Sequence, residues 1–321
     1  MEQEQARRSN MDTPLLERRW VVVALTAVAC ALWGSAFAFV KLGYQLFGIT
    51  SGEPASQLLF AGMRFTLAGL MVLAGATVAR RGVPIPTRTD VVPILALALT
   101  QTTLQYAPFY VGLAHASGTN ASLVQGSSAF ISIIIATLVF RQERLTPRKF
   151  LGCALGLGGV ALVTLRSGNA LGSFTILGEG LVLASVTCGA VATCLLRRFG
   201  VGGGDPIKLT GYQFLLGGVA LCVIALVTGG HISSFSPQAL FVLLYLGALS
   251  ATAFSIWSAL LKHNPVSHIA IFRFLIPIFG VLFSLTFLGE TANPSDIPII
   301  CLALALITCA TVLVNTEARK E

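Results

Sequence analysis

The sequence predicts an all-α integral membrane protein: ten transmembrane helices arranged as two inverted five-helix repeats, with both termini in the cytoplasm. Three observations predict it. The 321 residues are 55% hydrophobic and only 11% charged, with a mean hydropathy of +0.82. A soluble domain carries about 25% charged residues to clothe its surface. Ten apolar runs, each near the length of about 20 residues that a bilayer requires, are separated by short polar connectors. The order of features in the first five runs recurs in the second five. Composition therefore disfavours a water-soluble enzyme, a disordered chain and a nucleic-acid-binding module. The formal net charge of +8 sits in short clusters between apolar runs, where the positive-inside rule places basic residues.

Residues 1–19 (MEQEQARRSNMDTPLLERR) are too hydrophilic for a cleavable signal peptide and read as a cytoplasmic tail. The ten spans fall at 20–44, 57–78, 91–113, 119–140, 148–166, 178–196, 207–228, 238–261, 266–288 and 297–315. The first repeat thus covers 20–166, a linker 167–177, the second repeat 178–315, and a second cytoplasmic tail 316–321. Connectors such as RQERLTPR, KHNPV and ETANPSD make neighbouring helices antiparallel. With the N-terminus inside, 17 of the 21 Lys and Arg residues lie on the inner side, and only Lys41 and Arg166 lie outside. That asymmetry sets the orientation. Trp20, after Arg18 and Arg19, reads as an interfacial anchor. All seven cysteines (Cys30, Cys153, Cys188, Cys194, Cys222, Cys301, Cys309) fall in apolar runs without a CxxC. They read as small buried apolar residues, with no disulfide and no metal site.

The repeat shows in YAPFYVGLAHASGTNASL (106–123), which aligns with AFSIWSALLKHNPVSHIA (253–270) at an offset of 147. The same offset pairs Glu143 with Glu290, an offset of 149 pairs RFTLAG (64–69) with QFLLGG (213–218), and Gly34 matches Gly189. Five spans is an odd number, so the second copy enters the membrane from the other side. The loop after span four carries Arg141, Arg144, Arg148 and Lys149, whereas the loop after span nine carries no Lys or Arg. Inverted repeats are a transporter architecture, with a midplane site opening to each side in turn.

No Asp or Glu lies deep in a span; Glu53, Asp90, Glu143, Glu179, Asp205, Glu290 and Asp296 fall in loops or at helix ends. The usual carboxylate relay for protons or sodium is therefore not expected. Arg64 and Arg273 are the two intramembrane charges. Each either snorkels to a helix end or attracts a substrate carboxylate, and Arg273 is the better candidate because span nine reads as a core-lining helix. Polar and aromatic residues gather on a few spans: Trp33, Ser35, Phe37 and Lys41 on span one; Gln101, Gln105, Tyr106 and Tyr110 on span three; Gln125, Ser127 and Ser128 on span four; Ser250, Thr252, Ser255, Trp257 and Ser258 on span eight. At membrane depth such groups face other helices or water, so they either line a cavity or hydrogen-bond between helices. The expected cavity residues are Trp33, Phe37, Gln101, Gln105, Tyr106, Tyr110, Gln125, Ser128, Ser255, Trp257 and Arg273. Pro108 and Pro277 lie inside spans as hinges or static kinks. Span five, with Gly152, Gly156 and Gly159, and the equally plain span ten read as scaffold or homodimer-contact helices.

GLGGVAL (156–162) and VGGG (201–204) match neither a GxGxxG nor a P-loop, and HExxH, GxSxG and clustered His ligands do not occur. No nucleotide, no cofactor and no enzymatic chemistry are expected.

ALWGSAFAFVK (31–41) resembles the first-helix signature of EamA-type proteins of the drug/metabolite transporter superfamily. Arg64-Phe65, RQERLTPRKFLGCALGLGGVALV (141–163) and SALLKHNPVSHIAIFRFLIPIFGVLFSLTFLGE (258–290) resemble further family features, so the resemblance runs from Trp20 to about Asn315. It implies ten helices in two EamA units and export of small metabolites from bacteria; within the family the chain is most similar to the aromatic amino-acid exporters. One departure is that Glu143 follows RQ whereas Glu290 follows LG, so each is expected to cap or anchor a helix end. The resulting expectation is a bacterial inner-membrane exporter of aromatic or large neutral amino acids, working by alternating access with broad specificity. Hydrophobic walls would hold the side chain, and Gln101, Gln105 and neighbouring hydroxyls would orient the head group. Other small metabolites or lipophilic drugs are the alternative cargo. A membrane receptor is a third reading, for which the chain offers no signalling loop.

Overall fold

The computed structural model describes residues 14–116, 118–166 and 175–287, with scattered positions between 298 and 313. Glu290, Cys301 and most of the tenth predicted span lie outside the described residues. Among those described, every regular element is helical. Among the described residues, five helices are long and apolar enough to cross a membrane: α1 (Arg19–Phe47), α2 (Pro54–Arg80), Ile176–Val201, α9 (Pro206–Val227) and α10 (Pro237–His263).

Local chemistry sets the ends. Proline opens α2, α9 and α10, where its missing N–H costs nothing and its fixed φ suits the first turn. Asp205 caps α9 by accepting from Ile207 N, and Ser236 caps α10 by accepting from Ala239 N. Helix α1 stops at Gly48, whose φ of 67° lets Ile49 N–H turn back to Tyr44 O at 2.8 Å. That left-handed position favours glycine.

Predicted spans three, four and nine are segmented. Span three is α3 (Arg88–Leu97), a π turn (Ala98–Thr103) and α4 (Leu104–His115). Span four is α5 (Gly118–Gly126), α6 (Ser128–Ile134) and a π turn (Ile135–Val139). Helix α7 (Pro147–Arg166) follows, and a π turn (Ile176–Gly180) leads into α8 (Leu181–Val201). Span nine is α11 (Val266–Ala270), a 3₁₀ turn (Ile271–Phe274) and α12 (Leu275–Phe287). Prolines Pro93, Pro108 and Pro277 accompany two of these breaks. Proline removes the bond to the carbonyl four residues earlier, so Pro277 cannot tie down the carbonyl of Arg273. π turns are frequent at functional sites, and the one in span three carries Gln101.

Helices α2 and α9 run together on a glycine seam. A Cβ on Gly69 would stand 2.5 Å from Leu215 N, and one on Gly218 would meet Thr66 N. A Cβ on Gly62 would meet Cys222, and one on Gly211 would meet Leu73. Each contact has its reciprocal 149 positions away, since residues 62, 66, 69 and 73 map onto 211, 215, 218 and 222. Small residues let membrane helices approach backbone to backbone. Helix α1 packs on α10 and α12, and α4 packs on α8. Gly34 of α1 lies directly against the backbone of Phe279 and Gly280, while Gly156 of α7 receives the ring of Phe274. Two hydrophobic clusters result, and Trp33 packs against both.

Ion pairs lie at helix ends. Lys208 donates to Asp90 at 2.6 Å, and Arg80 pairs with Asp205. Asp90 also completes a capping box with Thr87. Burial raises the Asp90 pKa, but hydrogen bonds from Lys208 and Thr87 outweigh it and hold the carboxyl at about 2. Glu143 anchors a helix end, though not that of its own helix. Its Oε1 accepts from Ser267 N in the first turn of α11, while Lys149 Nζ lies 3.2 Å from Oε2. Burial pushes its pKa up, but these donors bring it below the usual carboxylate value.

Candidate functional site

The chain places a cavity where α1, α2, α4, α5, α10 and span nine converge. The cavity volume is about 40 Å³, below the range of about 300–1,000 Å³ of small-molecule sites, so a cargo larger than a few atoms enters only when the surrounding helices move apart. Trp33, Ala36 and Phe37 come from α1, spaced so that they share one helix face. Arg64 comes from α2, Gln105, Tyr106 and Phe109 from α4, Gln125 from α5, and Phe254 from α10. Arg273 stands on the 3₁₀ turn and Ile276 on the start of α12. Five of the eleven lining residues are aromatic. Trp33 meets Phe254 edge-on at 5.0 Å, Phe37 meets Phe109 at 5.7 Å, and Tyr106 meets Phe109 at 5.8 Å. Such walls favour flat apolar groups through edge and stacking contacts.

Two guanidinium groups interrupt the apolar wall. Arg64, 1% exposed, donates from Nε to Ser250 Oγ at 2.8 Å and from Nη1 to Tyr110 OH at 2.9 Å. Ser250 in turn donates to Leu246 O, and Tyr44 OH donates to the carbonyl of Tyr110. Arg273 donates from Nη2 to Thr193 Oγ1 at 3.0 Å, and its guanidinium lies 4.6 Å from the Trp257 ring centre and 5.7 Å from that of Trp33. Cation–π contacts of this kind stabilise a desolvated cation. Arg273 Nε, Gln105 Oε1 and Gln125 Oε1 are buried without a hydrogen-bond partner among the described residues. Buried polar atoms are normally paired, so this cavity has unmet hydrogen-bonding capacity of both signs. Gln105 is seated on bare helix: a Cβ on Gly189 would stand 2.9 Å from its Oε1.

The cavity thus gathers six of the sequence-derived candidates: Trp33, Phe37, Gln105, Tyr106, Gln125 and Arg273. The other five lie off its wall. Gln101 accepts from Gln213 Nε2 at 2.5 Å, bridging the π turn to α9. Tyr110 is fully buried behind Arg64, and the buried Trp257 ring supports Arg273. Ser128 is buried and Ser255 half-buried, neither on the wall. Pro108 stands within α4, one residue from wall-lining Phe109, and Pro277 within α12, one residue from Ile276. Sequence reasoning missed Ala36, Phe109, Phe254 and Ile276. Helical spacing carried a signal for two of them, since Phe109 lies four residues after Gln105 and Ala36 three after Trp33. Arg64 and Gln213 are related by the 149-residue offset, as are Gln101 and Ser250. The bonds Arg64–Ser250 and Gln213–Gln101 are therefore counterparts. Among the described residues no group of three or more His, Cys, Asp or Glu side chains could hold a metal ion.

The sequence model of the EamA-like transporter family matches residues 19–165 and again 176–316. An uncharacterized transporter of Archaeoglobus fulgidus is 29% identical over 273 residues, covering 83% of this chain and 89% of that protein. A probable terminal-alkyne amino-acid exporter of Streptantibioticus cattleyicolor is 26% identical over 281 residues, covering 86% of each chain. A solved crystal structure superposes with a TM-score of 0.70 at 20% identity, over 92% of this chain and 98% of the matched one. That likeness shows the fold.

Proposed function

The chain belongs to the EamA-like transporter family of membrane transporters, and from that premise we propose that it exports amino acids with aromatic or large neutral side chains. The observation that carries the reading is the cavity itself. It combines an aromatic wall with Arg273 Nε, Gln105 Oε1 and Gln125 Oε1, all buried and unpartnered among the described residues. A zwitterion supplies what these atoms lack: its carboxylate accepts from Arg273, and its ammonium donates to the two amide oxygens. Phe37, Phe109 and Phe254 then surround the side chain. The amino-acid exporter among the relatives supports the same cargo class.

In this reading the chain is ten helices in two inverted repeats, 20–166 and 178–315, with both termini in the cytoplasm of a bacterial inner membrane. The doubled family match, the reciprocal glycine contacts of α2 and α9, and the 17-to-2 distribution of basic residues support it. Alternating access moves the cavity from one face to the other. The described carboxylates sit at helix ends, which favours transport without a deep carboxylate relay.

Purified protein in liposomes tests the cargo. Uptake of radiolabelled Phe, Trp, Tyr, Leu, Thr and Met is measured with and without a proton gradient. Saturable flux of the aromatic and large neutral substrates, retained without a gradient, is expected. Flux confined to compounds that lack an amino-acid head group would assign the cavity to other metabolites or drugs.

A further inference from the structure

We propose that Arg64 and Arg273 make the cavity an anion-binding site in its own right, which takes a carboxylate or a halide and rejects organic cations. The inference rests on the transporter reading for its purpose, but on no particular cargo.

Both guanidinium groups line one cavity, and both residues are buried, at 1% and 6% exposure. A guanidinium stays charged under all physiological conditions and carries five N–H donors. The hydrogen bonds found for Arg64 go to two hydroxyls, and the one found for Arg273 goes to a third. Hydroxyl partners orient a cation without neutralising it. No described carboxylate lies within 4.0 Å of either group. No Asp or Glu lies deep in a span by sequence, and the six described carboxylates sit at helix ends with other partners: Glu17 beside His263, Glu53 on Thr50 N, Asp90 on Lys208, Glu143 on Lys149, Glu179 on Thr175 N, and Asp205 on Arg80. Buried charges are costly unless paired. The faces of Trp33 and Trp257 compensate Arg273 in part, but a ring quadrupole is weaker than a full negative charge. Arg273 Nε remains a buried donor without a partner among the described residues. An anionic group is the chemistry that answers both the uncompensated charge and the unused donor. Two fixed positive charges in a low-dielectric wall raise the energy of any organic cation there by the same physics.

The two indoles beside Arg273 report occupancy directly. The chain has three tryptophans, and Trp20 is 64% exposed at the far end of α1. Full-length protein in detergent, held at constant ionic strength with sodium sulfate, is titrated with sodium iodide while tryptophan emission is read. Saturable quenching from Trp33 and Trp257 is expected above a linear component from Trp20. Chloride and 3-phenylpropionate, each added separately, are expected to raise the half-quenching iodide concentration about tenfold at saturating levels, and phenethylammonium to leave it unchanged. Arg273→Gln is expected to leave only the linear component. Arg64→Gln is expected to raise the half-quenching concentration about tenfold. If either variant misfolds, the wild-type arms still decide. Purely linear quenching of wild type, or equal relief by phenethylammonium, overturns the proposal. Relief by chloride but not by phenylpropionate overturns its carboxylate half. Saturable iodide quenching in a protein that fails to carry amino acids overturns the cargo reading and leaves the anion site standing.

Discussion

Gly69→Ala tests the seam between α2 and α9. The added Cβ would lie 2.5 Å from Leu215 N and 2.8 Å from Gly211 O. Ordinary carbon contacts begin near 3.4 Å, so the nearer approach is about 0.9 Å too short at the usual packing limit. Both obstacles are backbone, and no rotamer change relieves them; the helices must separate. A radial gap of about 0.5–1 Å forfeits a quarter to a half of each dispersion contact along the seam. Overpacking of this kind costs about 1–3 kcal/mol. Alanine is also the better helix former by about 0.5–1 kcal/mol, which would mask part of the loss. Gly75→Ala on the same helix supplies the correction, because a Cβ there meets nothing within 4 Å. The difference between the two variants isolates the steric cost, equivalent to a fall of about 2–4 °C in Tm per kcal/mol. Gly218→Ala is expected to match Gly69→Ala, because its Cβ meets Thr66 N as that of Gly69 meets Leu215 N. The double variant is expected to cost less than the two singles together, since the first separation already makes room for the second methyl. Thermal unfolding of detergent-purified protein reads all four variants. A Gly69→Ala protein melting with or above Gly75→Ala would refute the backbone-contact argument.

Three further outcomes follow from the site and the helix ends. Gly189→Ala places a methyl 2.9 Å from the Gln105 carboxamide and displaces that amide; the expected result is a raised transport KM with Tm nearly unchanged, and an unaltered KM would remove Gln105 from the cargo's contacts. Trp33→Ala takes away a wall ring and one support of Arg273; affinity for aromatic cargo is expected to drop about tenfold, or 1.4 kcal/mol, as measured by competition flux. The Asp90 carboxyl titrates at about 2 instead of 3.8, so its lowered folded-state pKa contributes stability that is fully present above about pH 4 and is lost as pH falls toward about pH 2. Asp90→Asn is expected to flatten the Tm profile across that acid window, and an unchanged acid limb would show that the Lys208 pair contributes nothing.

Hydropathy made the long helices legible. The apolar stretches behind α1, α2, α9 and α10 are unmistakable, and Pro54, Pro206 and Pro237 mark the starts of the last three. The segmentation of spans three, four and nine was not legible as such. A π or 3₁₀ turn changes hydrogen-bond register while leaving the hydropathy of ALTQTT or IATLV untouched. In the site, Trp33, Gln105 and Tyr106 announced themselves by chemistry on a helix face. Gln101 belongs to the same polar group on span three, but its partner Gln213 lies 112 positions away. Whether an amide faces a cavity or another amide depends on how two helices are registered, which no local pattern encodes. Arg64 shows the same limit, because its place on the wall depends on Ser250 of α10 and Tyr110 of α4 holding it there.

The counterpart bonds Arg64–Ser250 and Gln213–Gln101 have a consequence for energetics. One of these bonds has a charged donor, Arg64, and the other a neutral one, Gln213. Charge-assisted hydrogen bonds are roughly twice as strong as neutral ones. A movement that breaks the Arg64–Ser250 bond therefore gives up more than one that breaks the Gln213–Gln101 bond. Two bonds set 149 positions apart thus hold α2 to α10 and α9 to the π turn of span three with unequal strength, because position 64 carries a charge and position 213 does not.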